Sequence, residues 1–109
     1  MTSEEKTYNM FRDVAIESGE DILIPANHAF KFIEACKKYR LAIQGFEGFE
    51  TQDNGIMPRM DLIADFSVIQ SKNWDELCEK SYDLTRSALA SLQATGKLTF
   101  SFVLISQHE

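Results

Sequence analysis

The sequence predicts an α+β fold: a small mixed or antiparallel sheet of about three strands, with helices packed on one face. Three observations carry that reading. Apolar residues recur at helical spacing before Tyr39 and again after Asn73. Between these segments the period changes to two on either side of Asp53-Asn54-Gly55. A last alternating segment runs from Leu98 to Ser106. With 109 residues, 44% of them apolar, the chain is expected to form one domain and bury one core without disulfides or a metal.

Residues 1–7 are polar and read as a frayed tail. From Tyr8 the pattern is helical, with Tyr8, Phe11, Val14 and Ala15 on one stripe and Gly19 as the stop. Asp21 to Ile24 is an extended approach to Pro25, because a residue before proline avoids the helical region. Pro25 suits a first helical position, so a second helix is expected from Pro25 to about Tyr39. Its buried stripe is Ala26, Ala29, Phe30, Ile33 and Cys36, with Phe32 at the edge. A strand follows from Leu41 to about Phe49, and a return strand from Met60 to Ile69.

A two-residue loop at Asn54-Gly55 would pair Phe46 with Ile63 on the non-core face and Glu50 with Arg59. It would also put Glu47 on the core face beside Leu62, and Pro58 at a hydrogen-bonded site where it has no N–H to give. A bulge near Gly45 or Gly48, or a longer loop, relieves both. The third helix is capped by Asn73, with Glu76 placed as in a capping box. Trp74, Leu77, Cys78, Ser81, Leu84, Ala88, Leu89 and Leu92 form its long face, and Gly96 is the stop. The final strand returns through a crossover expected to be right-handed.

Charge narrows the function. Seventeen acids against eleven Lys and Arg give a net charge of −6. A nucleic-acid binder or an anionic-membrane binder needs a basic face, so neither partner is expected. No apolar run approaches a membrane span, and the start is too polar for a secretory signal, so a cytoplasmic location is expected.

Catalytic constellations are sparse. Cys36 and Cys78 do not make a disulfide framework and read as buried thiols. His28 and Cys36 are separated by about 12 Å along one helix, too far for a dyad. No Cys-x-x-Cys or His-x-x-x-His spacing offers a metal site, and Asp53-Asn54-Gly55 lacks the downstream acids of a calcium loop. Gly45-Phe46-Glu47-Gly48 carries an acid where a phosphate loop needs none, so its glycines are expected to permit a bulge or a close backbone approach. Asp61 and Asp65 are about 13 Å apart by strand rise, beyond glycosidase carboxyl spacings. Neither enzymatic activity nor a cofactor is expected.

Acids mixed with aromatics around the hairpin stand out. Phe46 and Phe49 are candidate anchors, and Glu47, Glu50, Asp61 and Asp65 candidate charge partners for a basic protein. The same face could instead be a solvated surface, or close a homodimer through Phe46, Ile63, Val103 and Ile105. A pocket with convergent polar groups would favour a small-ligand module or an enzyme.

Residues 25–106 resemble the immunity proteins of bacterial polymorphic-toxin systems, in particular family forty of that series. The resemblance rests on the helix opening at Ala26 to Phe30, Leu41-Ala42-Ile43-Gln44-Gly45, the Asn54-Gly55 turn, Trp74 with Ser81 seven residues on, and Phe102-Val103-Leu104. Phe46-Glu47 after Gly45 departs from the pattern. The resemblance implies a cytoplasmic protein that binds and neutralises a cognate toxin domain, a basic nuclease domain being one such target. It carries no catalytic residues.

Overall fold

A computed structural model describes residues 1–53, 55–66, 71–92 and 97–107. The period-two segment folds as a long hairpin of β3 (Ala42–Gln52) and β4 (Gly55–Asp65). Before it come α1 (Ser3–Asn9), β1 (Ile16–Ser18), β2 (Asp21–Pro25), a 3-10 turn over Ala26–His28, and α2 (Ala29–Lys38). After it come α3 (Trp74–Ser91) and β5 (Leu98–Ile105). The sheet has five antiparallel-paired strands in the order β1-β2-β5-β3-β4. Because β4 and β5 both run antiparallel to β3, they are parallel to each other, and α3 is the crossover between them.

The two extra strands come from the N-terminal third. Gly19 ends no helix; it has φ +63° and turns β1 into β2, with Ser18 paired to Asp21. The residues read as a frayed tail instead hold α1, capped by the Thr2 hydroxyl, which accepts from the Glu5 N–H at 3.1 Å. Tyr8 and Phe11 still reach the core, where their rings lie 5.2 and 5.3 Å from that of Phe32. The expectations at Asn54, at the end of the return strand over 67–69 and at Gly96 fall outside the described residues.

On α2 the stripe is rotated from the predicted one. Phe32 is fully buried and stacks on Phe102 at 4.8 Å, whereas Phe30 is 50% exposed. Ala29, Phe32, Ile33 and Cys36 follow the i, i+3, i+4, i+7 spacing of one face, and that face meets the sheet. The helix ends with Arg40 at φ 56°, in a position usually given to glycine. There the Leu41 N–H reaches the Cys36 carbonyl at 3.0 Å, and the Arg40 N–H reaches Lys37 at 3.2 Å. Arg40 holds that conformation through further contacts with α3. Its carbonyl accepts from the Trp74 indole at 2.9 Å, and its guanidinium pairs with Asp75.

On α3, Asn73 caps the helix as expected, accepting from the Glu76 N–H at 2.8 Å. The Glu76 carboxylate pairs with Lys80 at 3.0 Å. Leu84 is exposed, while Tyr82 and Thr85 are buried with Cys78, Ser81 and Leu89. Apolar periodicity misplaces this face because three of its buried side chains carry hydroxyls. Tyr82 donates to the Leu41 carbonyl at 2.6 Å, and Thr85 to the Ser81 carbonyl at 2.7 Å. Ser81 donates to the Cys78 carbonyl at 2.7 Å and accepts from the Ile43 N–H at 3.0 Å. Burial without such partners would cost each hydroxyl about 1–3 kcal/mol.

Thr99 supplies the contrast: it is buried, and its hydroxyl has no hydrogen-bond partner among the described residues. Two substitutions of buried hydroxyls should therefore have opposite signs. Ser81→Ala strands the Ile43 N–H and should lower unfolding free energy by about 1–3 kcal/mol. Thr99→Val keeps the shape, removes an orphan and should raise it by about 1 kcal/mol. Urea denaturation of both variants checks the pair.

Candidate functional site

The site is decided by how β3 and β4 change register. On β3 the pairing with β5 shifts between Ile43 and Gly45, leaving Gln44 as the extra residue. The Gln44 carbonyl is taken by the Phe66 N–H at 2.7 Å. On β4, pairing jumps from Glu47↔Ile63 to Gly48↔Arg59, so Met60, Asp61 and Leu62 are the extra residues. These irregularities lie at Gly45 and Gly48, where the sequence calls for relief. A Cβ on Gly48 would sit 2.5 Å from the Leu62 Cβ, and one on Gly45 would sit 2.3 Å from the Ala64 carbonyl oxygen. Both glycines serve close approach, Gly48 to the Leu62 side chain and Gly45 to the Ala64 backbone.

The first bulge reverses the facing of everything beyond it. Phe46, expected outside opposite Ile63, turns into the core at 2% exposure. Its ring meets those of Phe100 and Phe102 edge-on at 5.4 and 5.9 Å, and it pairs with Ala64 instead. Phe46 is therefore no surface anchor. Glu47 goes the other way: it is exposed, opposite Ile63 on β4 and Ser101 on β5, and not beside Leu62 on the core face. Phe49 alternates onto the same outer face and is half-buried.

The hairpin end also differs from a two-residue loop at Asn54-Gly55. Gln52 pairs with Gly55, so Gly55 belongs to β4 and not to the loop. Glu50 then faces Met57, and Arg59 lies diagonally beyond it. The expected attraction is nevertheless made, Arg59 reaching Glu50 at 3.0 Å. The same guanidinium holds Asp61 at 2.9 and 3.0 Å. Glu50 and Asp61 thus share one internal cation, and Glu50 lies on the face that Phe46 and Gly48 occupy, not the outer one.

What gathers on the outer face is a different set. Ile63 and Val103 are 47% and 48% exposed, flanking Gly45, which pairs with Asp65 on one side and Val103 on the other. Beside Gly45 lies a hollow of about 310 Å³, lined by Ile63, Val103, Glu47 and Asp65 among others. It is open, with the Ile63 and Val103 side chains beside the Glu47 and Asp65 carboxylates. Of the six residues read from sequence, Glu47 and Asp65 are brought to it, with Phe49 on the same face. Phe46 borders the hollow, but its ring is buried in the core; Glu50 and Asp61 do not line it. Ile63 and Val103 were legible as outward residues; Gly45 as the floor was not, because the bulge has no apolar signature.

The thiols are poor nucleophiles. Cys36 and Cys78 are free and buried, and burial pushes both upward in pKa. Among the described residues no group of three or more His, Cys, Asp or Glu side chains could hold a metal ion. Among the described residues no helix is long and apolar enough to cross a membrane.

Hydrogen bonding from Arg59, and then from its own backbone, holds the Asp61 carboxyl below the usual aspartate range. A lowered folded pKa means that this contact contributes above the ordinary aspartate pKa and is lost as pH falls through the lowered value. In Arg59→Met, the Asp61 carboxyl should titrate back up toward the ordinary range, as read by carboxyl-carbon NMR. An unchanged titration would contradict the fork. Compared with known proteins, the chain matches no family model, no curated protein and no solved structure.

Proposed function

We propose that this protein acts as an immunity-type inhibitor, binding a basic toxin domain through the outer face of its sheet. The observation that carries the reading is the Gly45 hollow, with half-exposed Ile63 and Val103 beside Glu47 and Asp65. An apolar surface beside carboxylates can cover the aliphatic stem of a lysine or arginine and pair with its cation. The chain's net charge of −6 adds long-range attraction to a basic cleft and speeds encounter. Phe49 extends the contact along β3. Glu50 and Asp61 contribute less than their charge suggests, because Arg59 already offsets them. The toxin's own activity follows from its chemistry, and a nuclease is the target whose basic cleft such a surface would match.

The test pairs this chain with the toxin domain encoded beside its gene. Wild type should protect challenged cells and form a salt-sensitive complex. Glu47→Lys with Asp65→Lys should weaken that complex by about tenfold to a hundredfold and abolish protection. Glu50→Lys should leave protection largely intact. Protection undiminished by the Glu47 and Asp65 reversals would contradict the proposal, as would a tight homodimer that buries Ile63 and Val103.

A further inference from the structure

β5 is only partly flanked on its β2 side. Against β3 it pairs along its length, from Leu98 to Ile105. Against β2 it pairs only at Ile24↔Phe100 and Pro25↔Thr99. Beyond Phe100, no described strand pairs with that edge. Its direction is visible at Phe102, whose carbonyl accepts the Tyr8 hydroxyl at 3.0 Å. By strand alternation the Leu104 peptide faces the same way. The sheet is thus split, with a strand edge open inside it and one phenol standing where a backbone donor would be.

A cleft of about 310 Å³ follows this split. Residues 101–104 of β5 line one wall and Asp21 and Ile22 of β2 the other, with Tyr8 among the remaining lining residues. Glu4 and Glu20 also line it, and no lysine or arginine does. An unpaired strand edge offers main-chain hydrogen bonds to an extended peptide, and flanking pockets select its alternate side chains. Carboxylates along the walls select cations at those positions. The geometry points to a β-augmentation site that takes an extended, lysine- or arginine-bearing segment of a partner protein along residues 101–104. This site adjoins the Gly45 hollow, with which it shares Val103, and the Tyr8 hydroxyl must leave the Phe102 carbonyl when the segment binds.

The test titrates the isotope-labelled full chain with a short synthetic peptide of alternating lysine and valine, against one of alternating glutamate and valine. The lysine peptide should shift the Phe102 and Leu104 amides and slow their exchange with solvent. Glu20→Lys with Asp21→Lys, both exposed in the chain, should weaken binding by about tenfold or more. Tyr8→Phe keeps the ring against Phe32 and removes the competing hydroxyl, so binding should tighten about threefold. No binding, an equal response to the glutamate peptide, or insensitivity to the Glu20 and Asp21 reversals would overturn the proposal. Shifts confined to Glu47 and Ile63 would do the same and assign the peptide to the Gly45 hollow.

Discussion

The extra residue at Gln44 is the constraint from which the functional surface follows. A strand alternates its side chains strictly, so one inserted residue exchanges the two faces of everything after it. Ile43 and Phe46 both enter the core because of it, and Glu47 is sent outward. A bulge also frees backbone groups, which are costly to leave unpaired in a core. Here the Ile43 N–H is taken by Ser81 and the Gln44 carbonyl by the Phe66 N–H. The helix-borne hydroxyl is thus part of the sheet's own hydrogen bonding, not an incidental polar residue in an apolar face.

The same logic fixes α3 on the sheet. Trp74, Ser81 and Tyr82 each bond to a backbone group between Arg40 and Ile43. These bonds close the Arg40 and Leu41 carbonyls and the Ile43 N–H left open where α2 ends and β3 begins. Hydrophobic burial alone would let the helix slide along the sheet, because it has no direction. Directional bonds at both ends of a short chain segment select one docking. That places Phe46 among Phe66, Phe100 and Phe102 on the helix side and leaves Ile63 and Val103 exposed on the other.

Much of this was legible in the sequence, and the failures have physical causes. The α+β class, the long hairpin, the crossover and the Asn73 cap follow from periodicity and local chemistry. The count of three strands was too low because β1 has three residues and β2 five, too short for a period to declare itself. In sequence Gly19 fits a helix stop and a hairpin turn equally, because a positive φ serves both. Tyr82 and Thr85 were missed because a hydropathy stripe counts hydroxyls as polar, whatever partners the fold gives them. For the candidate site, the need for a bulge near Gly45 or Gly48 was visible in the conflict at Glu47 and Pro58. Its position was not, and position decides whether Phe46 or Glu47 faces outward.

The facing of β3 is the claim on which the proposed surface rests, and it can be measured directly. A soluble paramagnetic probe relaxes protons according to their solvent exposure. The account expects strong relaxation of the Ile63 and Val103 methyls and little of the Phe46 ring, which should also show contacts to Phe100 and Phe102. Strong relaxation of the Phe46 ring, with protected methyls at Ile63 and Val103, would contradict it.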